Sequence, residues 1–229
     1  MTRFRIARLR AARGPRSAAC LPLVAATFAC SAAEAPQAGT AARLPPAAAQ
    51  PEPATTPLAA ECEWRASADE LAERASPPDS LRFRVGDAEG LLCYSRPSAR
   101  GRVMIGGESV PYGEVWRTGA NEPTTLHLGF AASVAGVAVE PGTYALYTVP
   151  GPSEWEILVN RSTEQWGAER YYTEEVEAQE VGRGSVAPAA TDAHVETLTF
   201  DVVPAAEDAV ELVLSWEGSR VSIPIRRLR

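Results

Sequence analysis

Short runs of apolar residues, many alternating with polar ones, follow one another from residue 81 to residue 225, with turn residues about every 8–12 positions. In the first run, apolar residues at positions 81, 83 and 85 alternate with arginines, which is the period-two pattern of a half-buried strand. A Gly-Asp pair follows, and residues 91–94 are placed to return as its hairpin partner. The remaining runs are residues 102–105, 124–130, 134–139, 143–149, 155–160, 195–203, 210–216 and 221–225.

The spacing of these runs predicts an all-β fold. We expect nine or ten short strands in an antiparallel β-sandwich or jelly-roll-like domain over residues 81–229. The runs are separated by stretches without a sustained helical period, so the crossover helix of a parallel β-α-β unit is not expected. A domain of about 150 residues can bury one sizeable core.

Two segments depart from the strand pattern. Residues 61–80 are predicted to be a capping segment with one short helix, because Ser67 and Glu70 form a capping box and the helix must end before Pro77. Residues 164–184 are acidic and weakly patterned. We expect them to form a long connection between strands, with a helical turn near Trp166.

The N-terminal residues have the pattern of an export signal. Six arginines precede an uncharged apolar run over residues 17–29, which at 13 residues is too short to span a membrane. Residues 1–29 are therefore predicted to be a signal peptide. The six arginines are Arg3, Arg5, Arg8, Arg10, Arg13 and Arg16.

Two cleavage sites are compatible with this signal. Residues 27–30 resemble a lipobox in which Cys30 receives the lipid, whereas the small residues Ala33 and Ala35 suit ordinary cleavage after Ala35. Residues 30–60 are rich in Ala and Pro and predict a disordered tether, which favours a lipid-anchored domain. We expect a periplasmic or outer-membrane lipoprotein held to the membrane through Cys30. The alternative is a soluble periplasmic or secreted protein.

Charge excludes one class of partner. All 22 basic residues are arginines, and the six that leave with the signal peptide reduce them to 16 against 29 acidic residues, a net charge of −13. A chain this acidic repels polyanions, so we expect no nucleic acid partner.

The cysteines predict one disulfide. Of the four, Cys20 leaves with the signal peptide and Cys30 is lipidated or removed, so Cys62 and Cys93 remain as a pair. Two cysteines in an exported domain favour a disulfide over a metal site, because no further soft ligand lies nearby. Two unpaired buried thiols are the alternative.

Recognised catalytic and metal motifs are missing from the sequence. The two histidines, His127 and His194, have no metal-ligand spacing, and there is no G-x-S-x-G elbow or glycine-rich phosphate loop. We predict no metal and no cofactor. His127 lies between Leu126 and Leu128, so it should point to the opposite face of its strand, as a surface or fully hydrogen-bonded residue.

Residues 116–125 concentrate the side chains best suited to hold a ligand. They combine an indole, a guanidinium, an amide, a carboxylate and hydroxyls on a glycine-containing loop, and two further arginines precede them. A small anionic ligand or a sugar is the predicted partner. The candidate ligand-binding residues are Arg96, Arg102, Trp116, Arg117, Asn121, Glu122, Thr124 and Thr125.

A structural explanation of the same residues is preferred. In it, a buried Arg117 pairs with Glu114 or Glu122, and Asn121 bonds turn amides, so that these contacts lock an irregular connection between sheets.

Four stretches together carry a family resemblance, since they agree in order and in spacing. They are Tyr-Ser-Arg-Pro-Ser-Ala-Arg-Gly-Arg (94–102), Pro-Tyr-Gly-Glu-Val-Trp-Arg-Thr-Gly-Ala-Asn-Glu (111–122), Pro-Gly-Thr-Tyr-Ala-Leu-Tyr-Thr-Val-Pro (141–150) and Trp-Glu-Ile-Leu-Val-Asn (155–160). The chain resembles the bacterial family catalogued as domain of unknown function 2911, from near residue 76 over about two thirds of its length. The resemblance implies no particular reaction or ligand.

Two functional hypotheses follow from the sequence. The first is an exported, lipid-anchored β-sandwich that is not an enzyme and serves as a binding or envelope-scaffold module. The alternative is an envelope or extracellular hydrolase that acts on a glycan or ester through Glu114, Glu122 or His127.

Overall fold

The computed structural model describes residues 58–229. The predicted signal peptide, Cys30 and most of the predicted tether lie outside these residues. Within them, ten strands form two antiparallel sheets, as the sequence predicts. The strands are β1 (Pro78–Val85), β2 (Ala88–Ser95), β3 (Thr124–Leu128), β4 (Ala132–Val134), β5 (Val137–Val139), β6 (Gly142–Val149), β7 (Trp155–Asn160), β8 (Glu180–Val186), β9 (Ala189–Ala206) and β10 (Ala209–Arg227).

The two sheets have different sizes. The larger has six strands in the order β1-β2-β3-β6-β7-β8, and the smaller has four in the order β5-β4-β10-β9. The predicted first hairpin is confirmed, with Val85 opposite Ala88 and Gly86 at φ 62° in the two-residue turn.

The helices are short: α1 (Ala68–Glu73), α2 (Glu174–Glu177) and a 3-10 helix (Glu169–Tyr171). The predicted capping box of Ser67 and Glu70 opens α1.

The main core lies between the two sheets. Alternate residues of β2, β3, β6 and β7 meet alternate residues of β9 and β10 there. At its centre Trp116 stacks on Trp216, with ring centroids 5.8 Å apart, and meets the edge of Trp155 at 6.3 Å. Trp116 is therefore a core residue that joins a loop to both sheets.

Four of the predicted strands differ from the observed ones. Residues 102–105 are not a strand, because the amides of Met104 and Ile105 donate to the carboxylate of Glu217 instead of to a neighbouring strand. The run 134–139 is two strands, since Ala135 and Gly136 both have positive φ and form a turn. The last two runs merge into the single strand β10, whose register shifts relative to β9 near Glu217.

Strand β8 lies in the segment predicted to be a connection. Its sequence contains Gly182 and Gly184, which weaken a strand pattern. Gly184 is needed for close approach, because a Cβ there would lie 1.8 Å from the carbonyl oxygen of Ala135, and a Cβ on Gly182 would be tight at 3.2 Å from Cγ1 of Val137. The two glycines look unfavourable in a strand, but they allow β8 to approach Ala135 and Val137 of the smaller sheet.

The outer face of the six-stranded sheet, on the side away from the four-stranded sheet, is also covered. Leu91, Cys93, His127, Tyr147 and Leu158 point to this face, and all five are buried. Two segments cover it, which we call the arm (residues 58–76, with α1) and the excursion (residues 161–179, with the 3-10 helix and α2).

The arm is fixed to the sheet by a disulfide. Cys62 is bonded to Cys93 of β2, with their Cα atoms 5.6 Å apart, so the predicted bridge is confirmed and the alternative of free thiols is wrong. Arg82 of β1 also donates to the carbonyl oxygens of Leu58 and Ala60. Both residues belong to the predicted tether, yet they contact the sheet.

The excursion packs beside the arm on the same face. The ring of Tyr172 meets Tyr147 edge-on at 4.7 Å, and the side-chain amide of Asn160 donates to the carbonyl oxygen of Val176.

Across residues 58–229, none of the helices has the length and apolar character that a membrane crossing requires.

Candidate ligand-binding site

A polar cleft of about 430 Å³ lies between the arm and the excursion. Its floor is the outer face of the six-stranded sheet, where Thr125, His127 and Thr143 lie on the neighbouring strands β3 and β6. The arm supplies one wall and the excursion the other. The wall residues are Glu63, Trp64 and Arg65 on the arm, and Thr163 and Glu164 on the excursion.

His127 is the most unusual residue of the floor. Its side chain points away from Leu126 and Leu128, as predicted, but it is only 7% exposed. Its Nδ1 lies 2.9 Å from the hydroxyl of Thr143, while its Nε2 is buried and has no hydrogen-bond partner. This placement corrects the expectation of a surface or fully hydrogen-bonded histidine.

Burial also sets the protonation state of His127. It lowers the pKa of the imidazole below its ordinary value, while nearby Glu63 raises it and Arg82 lowers it to smaller extents. The ring is therefore neutral at pH 7. In a neutral imidazole one nitrogen donates and the other accepts, so Nε2 can take either role, depending on the bond that Nδ1 makes with Thr143.

Glu122 closes one end of the cleft in a buried ion pair. Its carboxylate accepts from both terminal nitrogens of Arg74, at 2.7 and 2.8 Å, and from the backbone amide of Arg65 at 2.8 Å. The side chains of Arg74 and Glu122 are 11% and 7% exposed. Burial alone would raise the pKa of Glu122, but these hydrogen bonds outweigh it and lower the pKa. The pair therefore fixes the arm to the loop before β3.

The pairing predicted for Arg117 is wrong. Arg117 contacts Glu169 of the excursion at 3.4 Å instead of Glu114 or Glu122, and Glu114 is exposed to solvent. A structural lock does exist at Glu122, as predicted, but its cation is Arg74. Arg117 lines a separate shallow pocket of about 230 Å³, together with Asn121, Trp166, Ala168, Arg170 and Tyr171.

The other candidates in residues 116–125 have structural contacts. The indole of Trp116 is buried in the core and donates to the carbonyl oxygen of Gly119 at 3.1 Å. The hydroxyl of Thr124 is also buried and donates to the carbonyl oxygen of Thr118 at 2.8 Å. Neither side chain is accessible to a ligand, which corrects both predictions.

Asn121, predicted to bond turn amides, instead donates to a carbonyl oxygen of the arm. Its φ is 60°, and its amide reaches Ser76 at 3.1 Å. Thr125, by contrast, points to the outer face of the sheet and lines the His127 cleft.

Arg96 and Arg102 are not brought to this site. Arg96 pairs with Asp79 at 3.3 Å and donates to the carbonyl oxygen of Leu198. Arg102 donates to the carbonyl oxygens of Ala99 and Ser98, within its own turn. Neither residue lines the His127 cleft or the Arg117 pocket.

The sequence does not predict the cleft walls, because its local patterns indicate only a capping segment for the arm and a connection for the excursion. A signal for the arm wall was nevertheless present in the sequence. If Cys62 is bonded to Cys93, the residues that follow Cys62 must lie on the sheet close to Cys93, and β3 is a direct neighbour of β2.

Within residues 58–229, no three His, Cys, Asp or Glu side chains are grouped so as to hold a metal ion.

The fold and site together define an antiparallel β-sandwich with a polar cleft on the outer face of its larger sheet. Residues 76–225 match the family described as "Protein of unknown function (DUF2911)", and the chain belongs to this family, as the sequence motifs predict. Neither the curated proteins nor the solved structures gave a match. The matched residues include the floor and the excursion wall, whereas nearly all of the arm precedes them.

Proposed function

We propose that this protein is an exported, lipid-anchored binding module that holds a small polar ligand in the His127 cleft and does not transform it. The observation that carries the proposal is that His127 lines the cleft while its Nε2 is buried without a hydrogen-bond partner. Leaving such a group unpaired costs about 1–3 kcal/mol, because the water it loses on folding is not replaced. A ligand that bonds Nε2 recovers this free energy on binding.

The contacts of the three residues in the hydrolase hypothesis favour binding over catalysis. Glu114 is exposed and does not line the cleft, and Glu122 is held by Arg74 and Arg65. A general acid-base pair needs two carboxyl groups that are free to exchange protons with a substrate. His127 alone, bonded to a threonine hydroxyl, does not supply that pair.

Substitution of His127 tests the binding site. We expect ligand-observed NMR with a library of small polar molecules to find binders that are lost in His127→Phe. They should be retained in His194→Phe, a matched control whose side chain is 59% exposed and contacts Glu196. His127→Phe removes the unpaired nitrogen and keeps a ring of similar size. The variant should therefore be as stable as the parent, or more stable by up to about 1 kcal/mol.

Two results would contradict the assignment. If the binders are unaffected by His127→Phe, the ligand occupies another site. If His127→Phe is strongly destabilised in thermal melts, the Thr143 contact is structural and His127 is not held for a ligand.

The disulfide supports the export part of the proposal. Cys62 and Cys93 are bonded, and such bonds persist in oxidising compartments outside the cytoplasm. The anchor rests on the lipobox-like residues before Cys30 and on the Ala- and Pro-rich residues after it.

Metabolic labelling with a fatty acid tests the anchor. We expect label on the full-length protein in the membrane fraction, and loss of both label and membrane association in Cys30→Ser. Cys20→Ser is the matched control and should keep the label, because that residue lies within the predicted signal peptide. A mature N-terminus at Pro36 without label would instead establish a soluble exported protein.

A further inference from the structure

We infer that the ligand of the His127 cleft is an uncharged saccharide whose ring packs against Trp64. The inference rests on the proposed function and adds the chemical class of the ligand. It follows from the charge of the walls, the hydrogen-bonding groups of the floor and the way in which Trp64 is held.

The charge of the walls disfavours an anion. Two exposed carboxylates, Glu63 on the arm and Glu164 on the excursion, line the cleft from opposite sides. Arg65 is the one guanidinium among the lining residues, and the charge of Glu122 is already balanced by Arg74. An anionic ligand would meet like charge on both walls and leave these carboxylates without donors. Ligand hydroxyls, in contrast, donate well to carboxylates.

The floor matches a ligand that both donates and accepts hydrogen bonds. Thr125 and Thr143 contribute hydroxyls, Thr163 adds a third from the wall, and His127 lines the floor with its Nε2 unpaired. Hydroxyls and a neutral imidazole can each give or take a hydrogen bond. An alkylammonium ligand has donors only. Trp64 is also the one aromatic residue that lines the cleft, whereas an aromatic cage for a cation needs several rings.

The backbone is held in place on both sides of Trp64. Two residues before it, Cys62 is bonded covalently to the sheet, and directly after it, the amide of Arg65 donates to Glu122. The indole is only partly buried and lines the cleft opposite the excursion. A partly exposed aromatic residue on a backbone that is fixed before binding supplies apolar contact area at little entropic cost. The C–H face of a pyranose ring is a ligand surface that combines such an apolar patch with hydroxyls at its edge.

The test is isothermal titration with a panel of named sugars on the mature protein. Glucose, galactose, N-acetylglucosamine and cellobiose are the neutral probes, glucuronate and glucose 6-phosphate the anionic ones, and glucosamine the cationic one. We expect at least one neutral sugar to bind, and glucuronate and glucosamine to bind more weakly than the neutral sugar of the same ring. Trp64→Ala should weaken binding about tenfold, because it removes the stacking face.

Trp166→Ala is the matched control, since Trp166 is 40% exposed but lines the Arg117 pocket instead. It should leave the affinity unchanged. If Trp166→Ala weakens binding and Trp64→Ala does not, the sugar occupies the Arg117 pocket and the inference is wrong.

The outcomes separate this inference from the proposed function. If none of the neutral sugars binds, the ligand class is wrong, and the proposed function still stands when polar binders lost in His127→Phe are found. If sugars bind and neither His127→Phe nor Trp64→Ala changes their affinity, both proposals are wrong. Release of monosaccharide from cellobiose during the titration would overturn the non-catalytic part of the proposed function.

Discussion

Replacing Arg74 by alanine should lower the free energy of unfolding by about 3 kcal/mol, because it leaves the carboxylate of Glu122 buried without its cation. We place the cost at the low end of the range for buried pairs. Glu122 keeps the hydrogen bond from the amide of Arg65, and it lines a cleft that water can enter. In a domain of this size the loss corresponds to a melting temperature lower by about 6–12 °C, which differential scanning calorimetry measures.

Arg117→Ala is the matched control for this substitution. Its partner Glu169 is 42% exposed, and the two charged groups are 3.4 Å apart. An ion pair of this kind contributes about 0–1 kcal/mol, so the variant should melt close to the parent temperature. Equal melting temperatures for Arg74→Ala and the parent would mean that Glu122 does not depend on its cation.

The effect of Arg74→Ala should also depend on pH. The folded-state pKa of Glu122 is lowered, so its ion pair stabilises the fold above the ordinary glutamate value of about 4.3, and this stability is lost as the pH falls through the folded pKa. Protonated Glu122 needs no cation. The difference in stability between the parent and Arg74→Ala should therefore shrink in acid, which denaturant titrations at pH 7 and pH 3 compare.

Removing the Cys62–Cys93 disulfide should have an effect of similar size. The two cysteines are 31 residues apart, and the loss of loop closure in the unfolded chain corresponds to about 3–4 kcal/mol. The double variant Cys62→Ala/Cys93→Ala should unfold at a correspondingly lower urea concentration than the oxidised parent. A reductant should bring the parent to the stability of the variant and leave the variant itself unchanged. A parent that is insensitive to a reductant that fully opens the bridge would contradict this.

The parts of the fold that were predictable are those whose contacts are local. The β1–β2 hairpin follows from alternation and a two-residue turn, and α1 follows from the Ser67 capping box. Strand β8 was missed because the reason for Gly184 lies across the molecule at Ala135. Residues 102–105 were assigned wrongly for a similar reason, since their amides bond the distant side chain of Glu217.

The candidate site was predicted only in part, because it joins pieces that are distant in sequence. The sequence does predict a buried ion pair at Glu122. Its partner Arg74 lies 48 residues earlier in the chain, beyond the reach of any spacing rule. His127 faces the predicted side of β3, but its burial depends on the arm and the excursion, which meet only in the folded protein.

The position of the disulfide also determines how a mechanical load enters the domain. A pull on the chain before Cys62 passes through the covalent bridge to Cys93 in β2, a strand hydrogen-bonded on both sides to β1 and β3. Residues 63–92 lie inside the closed loop and carry no tension, and they include Trp64 and Arg74. A domain pulled by its N-terminal end can therefore bear the load at Cys62 without residues 63–76 of its arm being peeled from the sheet.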